Sequence, residues 1–293
     1  MDDLETQNAK KQARKAALAR RDAIGIIDRI DRSAQICEKI GLLLRELLPD
    51  VLTDDALSTP PTSIPTPELP YMRPMHPYTA AMEDDAPAAQ GGQNASNNLA
   101  GQLSPDAAKA DEPLACHTGQ EWIFEPRSTR PESEKPMLAL YSSMRSEVDL
   151  SELAHGAFAH DWRVCFPAMI AEEGDVAPVE EPARMEFFEA SWAQLKALTK
   201  SFLSEQLRTY TIAQLESDGF KHVEPAQITA MVVPMVAFDA SNMRLGYGGG
   251  NYDHYLPRLP KDAVVIGAAF DEQQLEEIPT GDFDLALPHI VHA

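Results

Sequence analysis

The stretch Arg244-Leu245-Gly246-Tyr247-Gly248-Gly249-Gly250-Asn251-Tyr252-Asp253 constrains this chain more than any other. Four of its 15 glycines fall within five positions. An apolar run, Met231-Val232-Val233-Pro234-Met235-Val236-Ala237-Phe238-Asp239, comes just before them. Glycines at that density remove Cβ atoms and permit positive φ. Backbone N–H groups can then turn toward a common centre and hold an anion. Arg244 adds a charged fork at one edge, suited to phosphate oxygens. The pattern predicts a phosphate-cradling loop placed after a strand. It is not a Walker A loop, because no Gly-Lys-Ser/Thr follows. Nor is it a G-x-G-x-x-G fingerprint, because Asn251 occupies the last glycine position.

The rest of the chain narrows the setting of that loop. With 293 residues there is room for one large domain or two smaller ones. Hydrophobic residues make up 44%, enough for a core. No apolar run approaches the roughly 18 residues of a membrane span, and the N-terminus has no apolar leader core. Cys37, Cys116 and Cys165 are far apart and form no C-x-x-C pair, which argues against a zinc site or a disulfide framework. Free thiols in a reducing cytoplasm are expected. The net charge of −21 would repel a nucleic-acid backbone. The expected setting is therefore cytoplasmic, with neither nucleic acid nor membrane as partner; a monomer acting on a small-molecule substrate is a separate expectation that composition does not supply.

Along the chain, residues 8–24 read as a basic helix, with Lys10 and Arg14 sharing one face. A second helix is expected from Ser33, as N-cap, to Leu48. Between Val51 and Gly119 lie ten of the 23 prolines, with nine acidic residues against two basic. Such a segment buries too little apolar surface to offset its ordering entropy, so 51–119 reads as a disordered acidic insert. Strands are expected at Met137–Tyr141, Arg163–Pro167, Met231–Val236 and Val264–Phe270. Helices are expected from Leu150 to Ala159, capped by Ser151, and from Ser191 to Arg208. Alternating strands and helices predict an α/β fold. The expectation is a single three-layer domain, built from 1–50 and 120–293, with a mostly parallel sheet and helices on both faces.

V-P-x-V-A-F-D followed by R-L-G-Y-G-G-G-x-Y-D resembles the signature of the 5-formyltetrahydrofolate cyclo-ligase family. Further segments are similar, in the family's order: Lys10-x-x-x-Arg14, Tyr141-x-Ser143-x-x-x-Glu147-Val148-Asp149, Glu224-Pro225, Gly267 to Gln273, and Ile278-Pro279 with Asp282-Phe283-Asp284. The resemblance implies an enzyme that uses ATP and Mg²⁺ to close 5-formyltetrahydrofolate into 5,10-methenyltetrahydrofolate, releasing ADP and phosphate. It assigns Lys10, Arg14 and Arg244 to catalysis. ATP contacts fall to these three with Gly246, Tyr247, Gly248, Gly249, Gly250, Tyr252 and Asp284. The folate contacts fall to Ser142, Met144, Glu147, Tyr247, Asn251 and Tyr252, with Glu147 on the pterin. Asp253 and Asp284 are the implied metal ligands.

The implied chemistry also suits the residue types. The formyl oxygen attacks the γ-phosphate, N10 then attacks the activated carbon, and phosphate leaves. Such phosphoryl transfer relies on positioning and on cations. Asn251 stands where the family has an aromatic residue, His254 replaces a frequent arginine, Leu150 a threonine and Phe283 a histidine. Two other readings stay open from the sequence: a non-catalytic folate- or nucleotide-binding protein whose insert docks a partner, and an enzyme similar to the sugar-phosphate isomerases.

Overall fold

Two short strands buried on both faces, Met137–Ala139 and Ala230–Pro234, lie side by side at the centre of a sheet. Their near-continuous apolar character is that of parallel strands covered from both sides. The computed structural model describes residues 3–49, 51, 131–171, 183–196, 202–206, 208–281 and 284–293. The segment 51–119, expected to be a disordered insert, lies outside the described residues apart from Val51.

In chain order the elements are α1 (Asp3–Asp22), α2 (Ile26–Leu47), β1 (Met137–Ala139), α3 (Ser151–Ala159), β2 (Arg163–Ile170) and β3 (Arg184–Glu189). Next come α4 (Trp192–Lys196), β4 (Thr209–Tyr210), α5 (Ile212–Ser217), β5 (Lys221–Val223) and β6 (Ala230–Pro234). Last are β7 (Ala237–Phe238), β8 (Arg244–Leu245), α6 (Asn251–Tyr255), β9 (Val264–Ala269) and β10 (His289–His292). The main sheet runs β10-β9-β6-β1-β2-β3-β5, with β4 paired to the end of β2. Pairings from β10 to β2 are parallel, as is β2 with β4; β3 runs antiparallel to both β2 and β5. The expected α/β architecture with a mostly parallel sheet is therefore present.

Side-chain alternation divides the core. Leu138, Val164, Phe166, Val232 and Ile266 pack on one face against Ile36, Ile40 and Leu44 of α2 and Leu153 and Ala157 of α3. Met137, Ala139, Cys165, Phe187, Met231 and Val233 pack on the other, where Tyr255 of α6 closes the layer. Burial pushes the Cys37 thiol up to about 12 and raises that of Cys165 as well, so neither is a ready nucleophile. None of the described helices is long and apolar enough to cross a membrane.

Several boundaries differ from expectation. Helix α2 starts seven residues before Ser33, at Ile26 after Gly25, so Ser33 is not its cap. Ser33 is buried in mid-helix, and its hydroxyl accepts the Asp149 N–H at 3.1 Å. Ser151 does not cap α3 either; the Asp149 carboxylate takes both its N–H and its hydroxyl proton. The helix expected over Ser191–Arg208 is described only for Trp192–Lys196, and Phe202–Ser204 form a turn. The strand expected to reach Val236 ends at Pro234, which has no N–H to continue the ladder.

Beyond Pro234 the chain leaves the sheet and pairs β7 with β8 in a small antiparallel hairpin, which positions the glycine loop. Gln273 donates to the Met235 and Val236 carbonyls at 2.7 and 3.1 Å, so the exit is not left unsatisfied. Buried Asp239 ties the hairpin turn, accepting from Ser241 N and Met243 N with one oxygen and from Ile278 N with the other. Ala17 of α1 packs on Val236, Ala237, Leu245 and Ile278. The basic helix therefore lies on the hairpin that carries the loop.

Candidate active site

Strands β1 and β6 are neighbours, but the chain leaves them in opposite directions. The connection from β1 runs through α3 to β2, and that from β6 runs through α6 to β9. This is a topological switch point, where a crevice opens beyond the carboxyl ends of parallel strands. The loop after β1 carries Ser142, Met144 and Glu147, and the excursion after β6 carries the glycine loop. The sheet thus brings together segments about a hundred residues apart.

Within the glycine loop, Gly248 has φ 108° and Gly250 has φ 67°, conformations that side chains with a Cβ rarely adopt. Arg14 of α1 donates its Nε hydrogen to the Gly246 carbonyl at 2.7 Å. Its guanidinium carbon lies 3.5 Å from where a Cβ on Gly248 would stand. One helical turn earlier, Lys10 Nζ donates to Asp284 Oδ2 at 2.5 Å, and Gly281 N donates to the same oxygen at 2.7 Å. Burial pushes the Asp284 carboxyl up, but the bonds from Lys10 and Gly281, with the charges of Lys10 and Arg244, outweigh it and hold the group below its ordinary value.

Arg244 is 6% exposed. It donates to the Leu285 carbonyl at 2.9 Å and to Asp253 Oδ1 at 2.6 Å. Its fork therefore joins the loop that bears Asp284 to the first turn of α6. Asp253 and Asp284 flank this arginine, and among the described residues no three His, Cys, Asp or Glu gather as a metal cluster. Magnesium held largely by water and phosphate needs only one or two protein carboxylates, and this pair suits that role.

Glu147 lies 8% exposed at the other side of the site. Its Oε2 accepts the Met144 N–H at 2.7 Å, while Oε1 is buried without a partner among the described residues. Burial raises its pKa, opposed by the Met144 N–H, the nearby Arg21 charge and the Tyr247 hydroxyl. Tyr252 is raised by burial and then by the Glu147 charge, which places its phenol in the same neighbourhood. Ser142 is half-buried in this loop, and Asn251 directs its amide to Met169 Sδ at 3.7 Å.

One residue of this cluster belongs to none of the sequence motifs. Arg21 is 1% exposed. It donates from Nε to Ser146 Oγ at 3.0 Å and from Nη2 to the Tyr247 hydroxyl at 2.9 Å. Ser146 in turn donates to Asp22. Arg21 falls two helical turns beyond Arg14, on the stripe that also holds Lys10 and Ala17. That spacing is the signal by which the sequence could have shown it.

Residues 127–293 match the 5-formyltetrahydrofolate cyclo-ligase family. Curated proteins named 5-formyltetrahydrofolate cyclo-ligase are similar over shorter stretches. That of Mycoplasma pneumoniae is 42% identical over 60 residues, 20% of this chain and 33% of the relative. That of Escherichia coli K12 is 36% identical over 67 residues, 22% of this chain and 37% of the relative. The matched stretch spans about a third of the length of these relatives. A solved 5,10-methenyltetrahydrofolate synthetase from Mycoplasma pneumoniae superposes with a TM-score of 0.49 at 16% identity, covering 99% of this chain and 98% of that one. With the match extending over more than half of its residues, the chain belongs to the 5-formyltetrahydrofolate cyclo-ligase family.

Proposed function

We propose that this chain is an ATP-dependent ligase that closes 5-formyltetrahydrofolate to 5,10-methenyltetrahydrofolate, releasing ADP and phosphate. The observation that carries this reading is the convergence of α1 on the glycine loop, with Arg14 on Gly246 and Lys10 on Asp284. Three segments distant in sequence meet there, and all three supply groups suited to a triphosphate.

Bound as MgATP, the nucleotide supplies the phosphoryl group that makes the formyl oxygen a leaving group. Lys10 and Arg14 hold phosphate charge, and the open amides of Gly248, Gly249 and Gly250 orient it. Asp253 and Asp284 hold the magnesium, directly or through water. Arg244, bonded to Asp253 and to the Leu285 carbonyl next to Asp284, ties the two carboxylate-bearing segments together and adds its charge beside the phosphates. Glu147 receives an N–H of the pterin at Oε1, while Tyr247, Tyr252, Asn251, Ser142 and Met144 wall the folate side. Every group in this scheme comes from one chain, so a monomer suffices, and the setting is cytoplasmic.

Transfer of the formyl oxygen to phosphate tests the scheme. With ¹⁸O in the formyl group, the released phosphate is expected to carry the label. Unlabelled phosphate formed alongside methenyl product would contradict it.

A further inference from the structure

Two buried polar atoms near the proposed folate pocket have no partner among the described residues, Arg21 Nη1 and Glu147 Oε1. Each belongs to a side chain more than nine-tenths buried. The other polar atoms of both groups are engaged. Arg21 Nε bonds Ser146 Oγ, Arg21 Nη2 bonds the Tyr247 hydroxyl, and Glu147 Oε2 takes the Met144 N–H. Ser146 precedes Glu147 in the chain, and the Arg21 charge and the Tyr247 hydroxyl, which stands beside the Glu147 carboxylate but outside hydrogen-bond distance of Oε1, both favour its ionised form, so these groups form one cluster. It reaches solvent at Tyr247, which is 44% exposed.

Leaving a guanidinium N–H and a carboxylate oxygen both unsatisfied in a buried site is costly. A ligand that removes both costs must present an acceptor and a donor next to each other. A ring lactam does this, with its C=O beside its N–H. The geometry points to Arg21 as a specificity-determining residue that donates from Nη1 to the lactam carbonyl of the pterin, while Glu147 Oε1 accepts the adjoining N–H. This rests on the folate reading above and adds to it a residue and a basis for discrimination. A pteridine with an amino group in place of that carbonyl turns a donor toward Arg21 and, with no hydrogen on the adjoining ring nitrogen, a lone pair toward Glu147 Oε1. A site built to pair a polar group rejects analogues that cannot make the pair.

The test is calorimetric binding of 5-formyltetrahydrofolate and of its counterpart with an amino group in place of the ring carbonyl. Both are titrated into the full-length wild type and into Arg21→Met. Arg21→Gln, which keeps a donor for Ser146 or Tyr247 but lacks Nη1, is measured in parallel, and folding is checked by thermal melts. The wild type is expected to prefer the oxo ligand by roughly 10- to 150-fold, the range of one charge-assisted hydrogen bond. Both variants are expected to lose the Arg21 share of that preference through weaker oxo binding, so the ratio falls while the part carried by Glu147 stays. A merely structural Arg21 would weaken both ligands alike and leave the ratio unchanged, which overturns the assignment. Equal wild-type affinities overturn it without any variant. Absence of folate binding to the folded wild type would overturn the folate reading as well, so the two failures are distinguishable.

Discussion

Arg14 reaches across from the N-terminal helix to bond the Gly246 carbonyl at 2.7 Å, and this bond fixes a cation beneath the glycine loop. The loop is therefore built with its counter-charge in place, so little reorganisation is needed when an anion is bound. Arg14→Ala and Lys10→Ala should each raise KM for ATP more than KM for folate, by an amount equivalent to about 1.5–3 kcal/mol. Steady-state kinetics with each substrate varied in turn would check this. Unchanged ATP kinetics in both variants would remove α1 from the site.

The glycines of the loop should separate into two behaviours. Gly248 needs its positive φ, so Gly248→Ala should lose about 1–3 kcal/mol of stability from backbone strain. Gly249 lacks that demand, and a Cβ there would meet Asn251 Nδ2 at 3.5 Å, an ordinary contact. Gly249→Ala should fold like the wild type and bind MgATP more weakly by roughly 1–3 kcal/mol, as charged hydrogen bonds are lost. Thermal melts paired with calorimetry distinguish the two. Wild-type affinity in folded Gly249→Ala would show that its amide faces no phosphate.

Arg244→Lys tests the link between the two carboxylate loops. A lysine cannot serve both the Leu285 carbonyl and Asp253 in the planar geometry of the fork. The variant should lose about 1–3 kcal/mol of stability and bind magnesium-free ATP less impaired than MgATP. Equal losses for the two forms of the nucleotide would mean that Asp253 and Asp284 do not hold the metal.

Glu147 should show a trade between stability and binding. Burial raises its pKa in the folded protein, so the folded state holds that proton more tightly than the unfolded chain does. This contribution is complete below the ordinary carboxylate range and is lost as pH rises through the folded-state value. Glu147→Gln keeps an acceptor for the Met144 N–H. It should melt higher than the wild type at pH 7–8, with the gap closing toward about pH 4, while 5-formyltetrahydrofolate affinity falls. A gap independent of pH would refute the buried-charge account.

The glycine loop, the Lys10–Arg14 pair and the central strands were legible because each arises from local chemistry: Cβ-free turns, helical spacing and apolar runs. Arg21 shares the helical spacing of Lys10 and Arg14, but a basic residue on an amphipathic helix ordinarily faces water, and its burial exists only once Tyr247 and Ser146 are folded against it, so spacing alone did not single it out. Ser33 misled for a similar reason. Serine is a strong helix cap, but here a tertiary bond to Asp149 N holds it inside α2. The true start of α2 was hidden by Ile27 and Ile30, whose exposed side chains break the apolar stripe. Strand β10 is short, half-buried and bounded by histidines, so its pairing with β9 has no local signature.

The most direct measurement is the absorbance of the methenyl product when the purified chain is mixed with 5-formyltetrahydrofolate, ATP and Mg²⁺. The account predicts a rise that requires ATP, matches ADP formation one for one, and is greatly slowed in Lys10→Ala and Arg14→Ala. A folded protein that yields no methenyl product at saturating concentrations of both substrates would contradict it.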